Sequence, residues 1–185
     1  MSVKEDYIEQ AREARIEHKK WVNQVRLIVS GLELRRDAIA LNPSSSPFGE
    51  WLYSKAMSYT ISNSKIVLGE LEVLFDKCYG EYHKIYSILF QNRESGILAS
   101  FFGTKRASNS DYTIASQHYE TLLMYSDKLL SKLQLFENQL FATSSEKFER
   151  VLQEQMSQVE KTPQVEKTPQ KAKEQRYYRG SLIEE

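Results

Sequence analysis

One cysteine and three histidines are the side chains in this 185-residue chain best suited to soft metal ligation, thiol nucleophilicity or proton transfer near pH 7. They are His18, Cys78, His83 and His118. His83 follows Tyr79 by four residues, so on a helix the two rings share one face. Cys78 precedes His83 by five residues, about 140° round a helix at ~100° per residue, and points elsewhere. Nothing in these spacings supports a Cys–His catalytic pair. The chain also lacks a phosphate loop, a Gly-rich dinucleotide turn and a nucleophile elbow. Its carboxylates are scattered as they are on solvated helical faces, and no enzyme is expected. The informative residues are polar groups on apolar faces. His18 stands inside an apolar row one turn before Trp21 and Val22, where an imidazole is buried and needs a partner. Taken singly, each histidine reads as a hydrogen-bonded core residue rather than a ligand.

The elements that must position these groups are long helices. Ala11, Ala14, His18, Trp21, Val25, Ile28 and Leu32 follow a 3-4 spacing that predicts a first helix from Asp6 to Leu32, with Gly31 near its stop. Leu34 to Leu41 suggests a short helix. Asn42 to Pro47 is a loop by composition, and Ser46 before Pro47 is an N-cap followed by proline at the first helical position. A short helix with Phe48, Trp51 and Leu52 is expected next. Leu68, Leu71, Phe75, Cys78, Tyr82, Ile85 and Leu89 stripe a second long helix from Ser64 to Asn92, which tolerates Gly80 at about 1 kcal/mol relative to alanine. Residues 94–110 are less regular, with an apolar cluster of Ile97, Leu98, Phe101 and Phe102. Ser110-Asp111 is read as the cap of a last long helix reaching Gln155, striped by Ala115, His118, Leu122, Tyr125, Leu129, Leu133, Phe136 and Leu140.

The fold class expected is all-α: an antiparallel four-helix-type bundle with an additional short helix and a disordered C-terminal tail. Residues 1–155 form the bundle and residues 156–185 the tail. In the tail the hexamer Val159–Gln164 recurs as Val165–Gln170, with two prolines and no core stripe. Tyr177, Tyr178, Leu182 and Ile183 then read either as part of a frayed terminus, as chain ends usually are, or as a short docking peptide at the end of a tether.

Composition narrows the function classes. Lys plus Arg and Asp plus Glu are both 25, so no basic surplus is present to hold phosphates, and neither nucleic acid nor an anionic membrane is an expected partner. A lone cysteine excludes an internal disulfide framework. The first twenty residues are charge-rich without an apolar core segment, and no run of about 18 apolar residues occurs. A cytoplasmic protein without membrane insertion is expected.

Glu17-His18-Lys19-Lys20-Trp21, then Ser46-Pro47-Phe48-Gly49-Glu50-Trp51-Leu52-Tyr53, then Tyr79-Gly80-Glu81-Tyr82-His83 resembles the CZB family, the chemoreceptor zinc-binding domains. That family's pattern is His-x-x-Trp, Cys-x-Phe/Leu-Gly-x-Trp and His-x-x-x-His, and the resemblance covers roughly residues 7–140. It implies a helical bundle holding one zinc through three histidines and one cysteine. Carried over, the ligand positions are His18, Ser46, Tyr79 and His83, so two of the four are replaced. A serine hydroxyl and a tyrosine phenol with pKa near 10 stay protonated at pH 7 and are poor zinc donors. Cys78 does not substitute without unwinding its helix. The expectation is therefore a degenerate site with no metal and no cofactor, in which His18, Ser46, Tyr79 and His83 form a polar core network. Trp21, Phe48, Gly49 and Trp51 read as packing residues of the motif. The resemblance further implies signalling. The expected protein is a stand-alone, homodimeric adaptor, acting in trans on bacterial chemotaxis or cyclic-di-GMP partners, with the C-terminal peptide as one candidate contact. The alternatives are a zinc or oxidant sensor that keeps a weak site, and an unrelated helical scaffold.

Overall fold

The computed structural model describes residues 2–32, 39–57, 64–90 and 107–161. Among them every regular element is helical. Helix α1 spans Val3–Val29, and its start is fixed by a capping box in which Ser2 and Glu5 bond each other's backbone N–H. It ends at Gly31, whose φ of 79° is left-handed. The N–H of Gly31 bonds the Ile28 carbonyl and that of Leu32 the Leu27 carbonyl, a Schellman stop that suits glycine. The helix therefore stops before Leu32, which is exposed rather than part of the row.

A 3-10 turn at Pro43–Ser45 leads into the short helix α2, Pro47–Trp51. Its backbone continues as a π-helical turn over Leu52–Ala56. Helix α3 spans Ser64–Leu89 and α4 spans Asn109–Ala142. The cap of α4 is Ser108, in a box with Asp111, rather than Ser110, which lies inside the first turn. The last helix does not run unbroken to Gln155. Thr143 adopts an extended conformation and its hydroxyl donates back to the Gln139 carbonyl, so the ladder ends there. A separate helix, α5, follows over Ser145–Lys161.

The contacts fix the directions. Glu70, Cys78 and Glu81 on α3 meet Lys132, Leu122 and His118 on α4, so these two helices are antiparallel and form the most extensive pairing. Lys4, Arg15 and His18 on α1 meet Thr143, Glu137 and Ser126, so α1 also runs against α4. Helices α1 and α3 are thus parallel to each other, with Trp21 beside Tyr79 and His18 beside Phe75. The Pro43–Ala56 segment packs on α1 and α3 as the fourth member of the bundle. At the far end α5 turns back and sets Phe148 edge-on to Tyr7. The Lys4 ammonium donates to the Phe141 and Thr143 carbonyls at 3.0 and 2.5 Å, closing the C-terminus of α4.

The core is one continuous cluster. Leu68, Leu71, Phe75, Cys78, Tyr82, Ile85 and Leu89 are all buried, as are Ala115, Leu122, Leu129, Leu133, Phe136 and Leu140. Burying each large aliphatic side chain stabilises the fold by about 1.5–3 kcal/mol. His118 and Tyr125 stand at the margin, half-buried. No helix among the described residues is long and apolar enough to cross a membrane. Most of the expected Leu34–Leu41 helix, the Ile97–Phe102 cluster, and the chain from residue 162 on, which holds the rest of the repeat and the terminal peptide, lie outside the described residues. The first three residues of the repeat, Val159–Lys161, belong to α5, so the helix runs six residues past the expected boundary between bundle and tail.

Candidate functional site

The site is built where α1, α2, α3 and α4 meet. His18, at the centre of α1, has no exposed surface, and its Nε2 lies 2.9 Å from the Ser126 Oγ of α4. The ring stacks on Trp21 at 5.8 Å and meets Phe48 at 5.3 Å and Phe75 at 6.4 Å. Its Nδ1 has no hydrogen-bond partner among the described residues. Removal from water disfavours the charged imidazolium and pushes the His18 pKa down to about 4, so the ring is neutral at pH 7.

Trp21, one turn further along α1, lies nearly parallel to Tyr79 of α3 at 4.9 Å and edge-on to Tyr82 at 5.7 Å. Tyr79 is buried, and its hydroxyl faces Ser46 and the Trp21 indole. Burial raises the phenol's pKa, and these two neighbours oppose the rise. Neither neighbour reaches hydrogen-bonding geometry, and among the described residues the Tyr79 hydroxyl and Trp21 Nε1 have no hydrogen-bond partner.

Ser46 is the N-cap of α2. Its Oγ accepts from the Gly49 N–H at 3.1 Å and donates to the Pro43 carbonyl at 2.7 Å. That arrangement requires Gly49: a Cβ there would stand 2.0 Å from the Pro43 oxygen and 3.0 Å from Ser46 Oγ. Phe48 and Trp51, on either side of Gly49, both point into the core, and Trp51 meets Phe136 of α4 edge-on at 6.1 Å. The Phe-Gly-x-Trp sequence is thus a compact plug whose glycine permits the turn and whose two rings fill the bundle.

His83 departs from the expected network. It is exposed, and its Nε2 donates to the Leu41 carbonyl at 2.7 Å. Its ring lies 6.1 Å from Tyr79 on the same face, but that face is already turning out of the core. Taking Phe75 as the core direction, Tyr79 lies about 40° round the helix and His83 about 80°, at ~100° per residue. Tyr79 remains inside because Trp21 stacks on it. His18, Ser46 and Tyr79 are therefore brought into one region of the interior, and His83 is not.

These residues do not fit a zinc ion. Of the four positions only His18 presents an inward imidazole, Ser46 is committed to its two cap bonds, the Tyr79 phenol is held protonated, and His83 faces outward. The Cys78 thiol, buried against the Leu122 carbonyl, is pushed up to about 12 by desolvation and supplies no thiolate at neutral pH. Among the described residues no three His, Cys, Asp or Glu side chains are grouped to hold a metal.

Three buried polar residues escaped the sequence reading. Ser126 shares a seven-residue row with Leu133 and Leu140, and that spacing was the available signal. Glu81 pairs with His118 Nδ1 and Lys84 Nζ, each at 2.7 Å. Burial pushes its carboxyl up, but the hydrogen bonds and charge contacts it makes with Lys84 and His118 outweigh that, and the net shift is downward. Glu137 is buried beside Arg15 at 3.4 Å, and there desolvation outweighs the arginines and raises its pKa. Comparison of the chain with protein-family models, with curated proteins and with solved structures yields no match.

Proposed function

We propose that this chain is a non-enzymatic interaction module: a CZB-like helical adaptor that works in trans on bacterial chemotaxis or cyclic-di-GMP signalling partners without a metal. The observation that carries the reading is the filling of the bundle's centre. His18 is turned onto Ser126 and enclosed by Trp21, Phe48 and Phe75, so aromatic packing occupies the region where the resemblance calls for metal ligands. The reactive groups are also quenched, with His18 neutral and Cys78 protonated. A bundle arranged in this way offers surface rather than chemistry.

The surface favours self-association. Val3 and Ile16 on α1 and Phe141 on α4 remain about half exposed, and a two-fold homodimer is the assembly that would cover such apolar side chains. The tail, carrying Tyr177, Tyr178, Leu182 and Ile183, supplies a tethered peptide for the signalling partner.

The test adds purified chain to the source organism's reconstituted chemoreceptor–kinase arrays and, separately, to its diguanylate cyclases. At least a twofold change in kinase or cyclase output supports the adaptor, and no change in either overturns it. Elemental analysis of the same preparation should find no stoichiometric zinc. Tight zinc would favour the metal-sensor alternative instead. Light scattering at tens of micromolar should report a dimer.

A further inference from the structure

The outer face of α3 carries an apolar strip with no cover. Ile66 and Val73, seven residues apart, are 69% and 53% exposed. Between them and α4 lies an open groove of about 500 Å³, with Gly69 and Leu74 in its apolar wall and Lys128 and Lys132 on the α4 side. Nothing stands within 4 Å of where a Gly69 Cβ would be, so the groove is open to an incoming chain. Lys132 bonds Glu70 at 2.6 Å, while Lys128 has no ion-pair partner among the described residues.

The sequence beyond Lys161 contains a complementary segment. Leu182 and Ile183 are its only leucine and isoleucine, and Glu184 and Glu185 follow them directly. We infer that Leu182–Glu185 docks in cis in the α3–α4 groove. Leu182 and Ile183 cover Ile66, Val73 and Leu74, and Glu184 and Glu185 face Lys128 and Lys132. Residues 162–181 can span up to about 70 Å at 3.3–3.6 Å per residue. From Lys128 to Ala142 is about 21 Å along α4, and α5 adds about 25 Å, so even a path directly away from the groove lies within reach. Twenty residues with random-coil statistics would span about 25 Å on average and present the peptide at an effective concentration on the order of millimolar. A weak contact therefore suffices to hold the peptide closed, and a partner that takes the peptide must first displace it. The docking is a property of the chain itself and does not rest on the adaptor reading.

The test uses the full chain, ¹⁵N-labelled, with a nitroxide on a Ser181→Cys variant; Cys78 is buried and stays unlabelled. Amide signals of residues 66–74 and 128–132 should lose at least half their intensity in dilute samples. Val73→Asp, an exposed change that leaves the core intact, should restore them. Lys128→Glu with Lys132→Glu should weaken the effect, and adding Glu184→Lys with Glu185→Lys should return it. No broadening overturns the docking, and broadening that survives Val73→Asp places the peptide elsewhere and overturns it too. Broadening seen only between a spin-labelled chain and a separate ¹⁵N chain assigns the groove to a second copy and overturns the cis arrangement.

Discussion

Lowering the pH from 7.5 to 5.5 should cost the wild-type protein about 1.3 kcal/mol more stability than it costs the His18→Gln variant. The magnitude follows from two values. A histidine in the unfolded chain titrates near 6.5, whereas His18 in the fold is held down to about 4 by its burial. Above pH 6.5 the ring is neutral in both states, and the stability it contributes is fully present. As the pH falls through 6.5 the unfolded chain takes up the proton and the folded chain does not, so unfolding gains. Over this two-unit window the unfolded state gains about 1.4 kcal/mol of proton binding and the native state under 0.1. Glutamine keeps an amide near Ser126 and does not titrate, so subtracting the variant's pH response removes His83, His118 and every carboxylate from the comparison. Urea melts followed by circular dichroism at both pH values give the double difference directly, and thermal melts should show it as about 3–5 °C. A double difference below about 0.3 kcal/mol would refute the burial of a neutral His18. Ser126→Ala provides an independent check, because it leaves the buried Nε2 without its partner and should cost about 1–3 kcal/mol at pH 7.5.

Gly49→Ala should destabilise by about 1–3 kcal/mol, since its methyl group collides with the Pro43 carbonyl; an unchanged denaturation midpoint would remove the close-approach argument. Cys78 should resist a disulfide-exchange reagent at pH 8 in the native protein and react at once in guanidinium, so rapid stoichiometric labelling of native protein would contradict its burial and high pKa. Glu81, whose pKa is lowered by Lys84 and His118 against its own burial, contributes stability that is present above about pH 4.5 and lost as the pH falls below it. Glu81→Gln should therefore be less sensitive to acid than wild type between pH 4.5 and 3, and parallel acid melts would count against the ion-pair cluster.

Helix identity was legible because the 3-4 rows of α1 and α3 coincide with their buried faces nearly residue for residue. Gly31 and the Ser46-Pro47 cap were legible for local reasons, since each residue satisfies a backbone requirement of its own turn. The break at Thr143 was not. No glycine or proline marks it, and the apolar spacing from Leu140 to Phe148 to Leu152 continues through it as though the helix were whole. The only signal is the run Thr143-Ser144-Ser145, where hydroxyls can replace the backbone ladder. The parallel course of α1 and α3 likewise depends on how the intervening chain travels, which helical periodicity does not encode. His83 shows the limit of face arguments: spacing links it correctly to Tyr79, but which edge of the face turns outward is decided by Trp21 on another helix.

Lys4 joins two chain positions that are nearly the whole bundle apart in sequence. Its ammonium sits on the last carbonyls of α4, while the capping box of Ser2 and Glu5 holds the turn that carries it. The start of α1 and the end of α4 are therefore one cooperative unit: neither can fray without freeing the other's polar groups. Hydrogen exchange at the amides of the first α1 turn and the last α4 turn should proceed in step. Because Tyr7 meets Phe148 beside them, the base of α5 belongs to the same unit, and loosening either terminus also releases the first turn of α5 from α1.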